Sequence, residues 1–173
     1  MNEVLNCLET RRSVRKYLPK QIADAELNAI LEAGIYAPTA MGRQSPKIVV
    51  LQKPEDVAEL ERMNAAVLGN PDSHPFYGAP TVLVVLADAK AGTAVEDGSL
   101  VLGNLMNAAH ALGVGSCWIH RAREEFASDE GKALLKRWGI EGDWVGVGHC
   151  ILGYAAEPAA PAKPRKADYI VRV

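Results

Sequence analysis

Along the chain, apolar positions first recur at helical spacing. Val4, Leu5 and Leu8 fall on one face of a helix that Asn2 can cap. Asp24 is expected to cap a second helix with Leu27, Ile30, Leu31 and Ile35 on its stripe. Ala37 before Pro38 sets its end, because the residue before proline avoids the helical region. KIVVLQ (Lys47–Gln52) is a β-branched run and predicts a strand. Pro54 then opens a helix carrying Val57, Leu60 and Val67 inward. After the turn-rich NPDSHPFYGAP, TVLVVLA (Thr81–Ala87) is apolar at consecutive positions, the pattern of a strand covered on both faces. Val114–His120 and Val145–Leu152 give two more strands, and Glu124–Trp138 between them supplies helical turns capped at Ser128.

Glu96–Leu112 is the most informative helix. Leu100, Val101, Leu102, Leu105, Met106, Ala108, Ala109, Ala111 and Leu112 surround it almost completely, so it must be covered on every side. Two arrangements meet that demand: the central helix of a monomeric α/β core, or a helix shared with a second subunit. The limited burial open to a short chain favours the second.

Composition narrows the class. With 173 residues, 49% hydrophobic and 23% charged, the chain fits one globular domain spanning 1–173. The Pro/Ala-rich stretch Glu157–Pro164 makes about 155–173 an extended C-terminal arm. Nineteen Lys and Arg against twenty-one Asp and Glu leave a net charge of −2, which argues against a nucleic-acid coat or a polybasic membrane binder. Cys7, Cys117 and Cys150 form no disulfide framework, and neither a signal peptide nor a spanning apolar run is apparent. A cytoplasmic protein with reduced thiols is the expectation.

Three segments could carry chemistry. Arg11, Arg12, Arg15, Lys16 and Lys20 cluster around Ser13 without one acid, and Lys163, Arg165 and Lys166 form a second basic group on the arm. Guanidinium forks and a hydroxyl suit phosphate oxygens; the plain alternative is a solvated helix end with cations at its C-terminal dipole. Tyr36–Pro46 (YAPTAMGRQSP) is either an ordinary connector or a loop whose amides, carbonyls and Gln44 are aimed at a ligand ring. Gly115–Arg121 (GSCWIHR) has three readings. Cys117 and His120 with His149 and Cys150 have the ligand types for zinc, although the spacing is loose and adjacent His149 and Cys150 point to opposite strand faces. Cys117 could be a catalytic thiol, or the strand end could run beside a flat ligand with its backbone doing the bonding. No GxGxxG after a strand, GxxxxGK[ST], HExxH or GxSxG is present.

RRSVRKY, APTAMGRQSP, EDGSLVLGNLMNAAHALGVGSCW, GHCILGYA and a terminal KPRK, in this order, resemble the nitroreductase family of FMN enzymes from Glu9 to Val173. The resemblance implies an α+β fold, with a central mixed β-sheet flanked by helices, and a homodimer with a domain-swapped C-terminal arm and one FMN at each end of the interface. On this sequence it puts Arg11 on the flavin phosphate with Lys163 and Arg165, Arg15 toward the N1/C2-carbonyl edge, and Arg12 and Ser13 in backbone and hydroxyl contacts. It makes Thr39, Ala40, Met41 and Gln44 the loop that the partner subunit lays against the ring, and Trp118, Ile119 and His120 the strand end whose backbone meets the pyrimidine side and N5. Two departures stand out: Gly42 where the family commonly has asparagine, and Gln44-Ser45-Pro46 in place of Gln-Pro-Trp. Gly69–Ala79 is short, which implies an open substrate site.

The activity implied is ping-pong hydride transfer from NAD(P)H through flavin N5 to a small-molecule electron-poor acceptor, a nitroaromatic or quinone. No side chain is nominated as obligate acid or base. Dehalogenation or dehydrogenation on the same fold, a flavin-binding redox sensor, and a flavin-free protein that binds an acidic macromolecule are the rival readings.

Overall fold

The computed structural model describes residues 2–173. Its sheet has four strands, β1 (Pro46–Leu51), β2 (Thr81–Asp88), β3 (Gly115–Ile119) and β4 (Trp144–Gly153), in the order β1-β2-β4-β3. Alternate residues of β2 enter opposite layers, as the pleat requires. Val82, Val84 and Leu86 face α3 (Pro54–Leu68), α5 (Ala122–Ala127) and α6 (Asp129–Arg137), where Leu60, Met63, Phe126 and Leu134 cover them. Leu83, Val85 and Ala87 face α2 (Asp24–Ile35) and α4 (Ala94–Ala111), packed by Ile30, Leu102 and Leu105. This double covering explains the unbroken apolar run in β2.

The α+β class holds, with helices on both faces of the sheet, but the four strands pair antiparallel throughout instead of mixed. An unbroken apolar run reports burial on both faces and is silent on strand direction. Among the described residues the isolated parallel pairing is the Ser13–Ser116 bridge, which lays the first basic run beside edge strand β3.

Two close approaches depend on missing side chains. A Cβ at Gly34 would lie 2.6 Å from Leu105, so α2 and α4 touch there. One at Gly146 would lie 2.1 Å from the Ala122 carbonyl oxygen, which brings α5 against β4.

Helix ends follow the expected chemistry with two corrections. Asn2 accepts from Val4 N–H at 2.9 Å to cap α1 (Glu3–Thr10), and Ser128 accepts from Gly131 N–H at 3.0 Å, dividing α5 from α6. Asp24 does not cap α2. Ala23 holds that position, because Glu26 reaches back to the Ala23 N–H at 2.9 Å while Tyr154 donates to Glu26 at 2.6 Å. Asp24 instead occupies the first turn, where its charge complements the helix dipole. Val67 does not turn inward; it lies 39% exposed in the last turn of α3, beyond the buried Leu60, Met63 and Ala65.

Coverage of α4 is one-sided. Leu102 and Leu105 are fully buried, whereas Leu100 and Leu112 stay exposed. No residue of α1 is buried, and Val4, Leu5 and Leu8 are all more than half exposed. Val4, Cys7 and Leu8 line a crevice of about 470 Å³ with Asn104, Ala108 and Ala111 of α4. No helix of the described residues is long and apolar enough to cross a membrane.

Candidate functional site

The first basic run leaves α1 at Arg11 and is fastened to both neighbours. Val14 N–H donates to the Ser116 carbonyl at 2.9 Å, and the buried Tyr17 hydroxyl donates to the Val14 carbonyl at 2.7 Å. The C-terminal arm begins on the other side of the same run. Tyr17 bridges Ala155, Ala156 N–H donates to the Lys16 carbonyl at 2.9 Å, and Lys16 pairs with Glu157 at 2.8 Å. Thr10, Arg12 and Ser116 therefore share one crevice of about 240 Å³ with Ala155, Glu157 and Pro158. The first basic run and the start of the arm, Tyr154–Glu157, are neighbours within a single chain.

The cations take different postures. Arg12 folds back, donating from Nη1 to the carbonyls of Glu9 at 2.8 Å and Arg11 at 2.6 Å. Arg11 is half-buried, and its Nη1 is buried with no hydrogen-bond partner among the described residues; the Ser116 hydroxyl is left the same way. A buried guanidinium nitrogen without an acceptor is costly, and an anion is the strongest acceptor it can take. Arg15 is exposed, and its charge reaches Tyr17, whose hydroxyl is pushed far up chiefly by burial. Lys163 and Arg165 are exposed on the arm, and no hydrogen bond or ion pair among the described residues joins them to Arg11, Ser13 or Arg15. Arg165 lies beside Tyr169 and Ile170 instead.

The loop after α2 is a built structure. Met41, Gly42 and Gln44 all have positive φ (54°, 64° and 51°), a cramped backbone for two non-glycine residues. Asp97, in the first turn of α4 and 3% exposed, holds it in place. Its carboxylate accepts from Ala40 N–H at 3.0 Å, the Ser45 hydroxyl at 2.7 Å and the Thr93 hydroxyl at 3.2 Å. Thr39 closes the turn by accepting from Gln44 N–H at 3.0 Å. The 78%-exposed Met41 projects outward, and no hydrogen bond among the described residues ties the loop to the basic run or to the end of β3 in the chain.

The bond from Ala40 N–H, more than any other cause, holds the Asp97 carboxyl below its ordinary value. Its stabilisation is complete above the unfolded carboxylate's pKa of about 3.9 and lost as pH falls through the lower folded value. Asp97→Asn is expected to lose about 1–3 kcal/mol at pH 7. In urea unfolding, that gap should be constant above about pH 5 and shrink toward pH 3. A gap independent of pH would show that the charge contributes nothing.

At the end of β3, Cys117 and Ile119 are buried, Trp118 is half-buried against the α2/α4 layer, and His120 is exposed. Asn64 of α3, with no exposed surface, donates from Nδ2 to the His120 carbonyl at 2.8 Å and accepts from Arg121 Nε at 3.0 Å. Arg121 turns the chain into α5 with φ at 82°.

The cysteines and the second histidine go elsewhere. His149 is fully buried and bonded through Nε2 to Glu125 at 2.5 Å, against the rings of Phe76 and Phe126. Burial pushes the Cys150 thiol far above its usual range, with Arg11 partly opposing the rise. Neither Asp97 nor Asn64 was a candidate on sequence grounds. Each lies in a helix marked by its apolar spacing, and the partners that give it its role, Ala40 and Ser45 for Asp97 and His120 and Arg121 for Asn64, are more than fifty residues away.

The sequence model of the Nitroreductase family matches residues 8–76 and 70–154. A protein of Archaeoglobus fulgidus described as an NADH dehydrogenase/NAD(P)H nitroreductase is 32% identical over 159 residues, 89% of this chain and 86% of the relative. One of the same description from Methanothermobacter thermautotrophicus is 30% identical over 124 residues, 67% of this chain; the match spans only 60% of that relative's length. Among solved structures, a nitroreductase with bound FMN from Bacteroides fragilis superposes with a TM-score of 0.91 at 34% identity, with both chains fully covered. Another with bound FMN, from Desulfitobacterium hafniense, gives 0.89 at 29% identity over 100% of this chain and 99% of that one. In sequence along most of its length, and in architecture along all of it, the chain belongs to the nitroreductase family.

Proposed function

We propose that this chain is an FMN-dependent NAD(P)H oxidoreductase acting as a homodimer on small electron-poor acceptors. One observation carries the reading: Arg11, between the crevice-lining Thr10 and Arg12 in the chain, is half-buried and has a guanidinium nitrogen with no acceptor among the described residues. A flavin phosphate fits that donor, and FMN-bound neighbours of the same fold support the choice.

Bound there, FMN would supply two-electron chemistry at N5, between NAD(P)H and a nitroaromatic or quinone acceptor in a ping-pong sequence. The protein's part is to hold and polarise it. Arg11 and Ser13, with Lys163 and Arg165 drawn in from the arm, hold the phosphate. Arg12, folded onto the end of α1, keeps that backbone in place. Arg15 puts a fixed positive charge at the N1 edge, where reduction brings negative charge. The backbone of Trp118, Ile119 and His120 lies along the ring edge, and Thr39, Ala40, Met41 and Gln44 of the partner subunit close over it. The rigid loop anchored on Asp97 suits that task even with Gly42 in place of asparagine. The uncovered apolar residues of α1 and α4 supply the dimer face, and the exposed arm reaches the partner beyond it. In the cytoplasm, where this reading places the protein, the free Cys7, Cys117 and Cys150 would stay reduced.

An absorbance spectrum of purified protein, followed by anaerobic NADPH titration, tests the reading. Yellow protein that bleaches is the expected result. Yellow protein that stays oxidised points to a redox sensor, and protein that remains colourless after added FMN overturns the proposal.

A further inference from the structure

We propose that Asn64 is a positioning residue for the flavin, a role that rests on the reading above and refines it. The observation is the orientation of one peptide group. β3 is an edge strand, and the chain leaving it through His120 is exposed, so water could satisfy the His120 carbonyl. A fully buried side chain takes it instead. Asn64 Nδ2 donates to it at 2.8 Å, and Asn64 Oδ1 receives Arg121 Nε at 3.0 Å. Both ends of the amide are used, which fixes its own orientation as well.

The consequence follows from peptide planarity. In a trans peptide the carbonyl of one residue and the N–H of the next point in opposite directions. With the His120 carbonyl drawn inward to α3, the Arg121 N–H points away from α3. The left-handed conformation at Arg121, with φ at 82°, keeps the chain in that turn. Among the described residues this N–H has no hydrogen-bond partner. A donor held outward at the end of the strand assigned to the ring edge is a fixed dipole toward the flavin. It favours the electron-rich reduced ring, and Asn64 sets its direction.

Asn64→Asp keeps the shape and the acceptor for Arg121 but cannot donate to the His120 carbonyl. Asn64→Leu removes both bonds at similar volume. In folded, FMN-loaded variants, the affinity for reduced relative to oxidised flavin is expected to fall at least tenfold. For a two-electron couple that is a shift of about 30 mV to more negative potential. A second readout needs no variant: the Arg121 amide of the wild-type apoprotein should exchange with solvent and become protected when FMN is added. An unchanged potential in Asn64→Asp, or an Arg121 amide unmoved by FMN, overturns the role of Asn64 while leaving the flavin reading intact. Wild-type protein that binds no FMN overturns both.

Discussion

Deleting residues 158–173 is expected to leave a folded chain that no longer retains FMN and no longer forms a stable dimer. The sheet and both cores end by Gly153 and Tyr154, so the domain itself does not depend on the arm. Beyond Glu157 the arm contributes Lys163 and Arg165 and a terminal apolar group, Tyr169, Ile170 and Val171, each more than three-quarters exposed. Covering one such side chain is worth about 1.5–3 kcal/mol. Losing three in an interface therefore weakens dimerisation by roughly three to six orders of magnitude. Light scattering and the flavin absorbance of the purified truncation check both halves. A yellow, dimeric truncation would remove the arm from the account.

Glu125→Ala is expected to cost about 3–5 kcal/mol in urea unfolding, because it leaves a buried imidazole nitrogen without its partner and opens a cavity in the core. Glu125 and His149 have no exposed side-chain surface, and Glu125 Oε1 and His149 Nδ1 already lack partners among the described residues. Removing the carboxylate strands Nε2 too, in a pocket walled by Phe76 and Phe126. The double replacement Glu125→Met/His149→Phe should instead lie close to wild type, since exchanging both partners for apolar groups leaves nothing unpaired. A single replacement costing under about 1 kcal/mol would mean that water reaches the pair.

Local chemistry explains which parts were legible in the sequence. The buried strand Thr81–Ala87, the Ser128 boundary and the Asn2-capped first helix are set by residues adjacent to one another, so pattern alone discloses them. The ordered family motifs nominated the basic run, the loop and the β3 end, which are the segments of the proposed flavin site. Pairings over long separations stayed hidden. Asp97 with Ala40, Asn64 with His120 and His149 with Glu125 each join elements whose adjacency only the fold decides. Strand direction was hidden for a related reason, because helices on both faces erase the alternation that marks an antiparallel sheet with one wet side. At α2 the cap was misassigned because Asp24 has the right chemistry, while Glu26 completes the turn one residue earlier with help from Tyr154. The zinc reading of Cys117, His120, His149 and Cys150 failed at His149, whose partner is Glu125.

The convergence of N-terminal and arm cations on one phosphate is tested most directly by a thermodynamic cycle with two ligands. Dissociation constants for FMN and for riboflavin are measured in wild type, Arg11→Ala, Lys163→Ala/Arg165→Ala and the combined variant. The account predicts that each change weakens FMN by about 10–100-fold. The combined loss should differ clearly from the product of the two, as coupled groups require, and riboflavin affinity should move less than about threefold. Riboflavin losses equal to those for FMN, or losses that multiply as for independent sites, would contradict it.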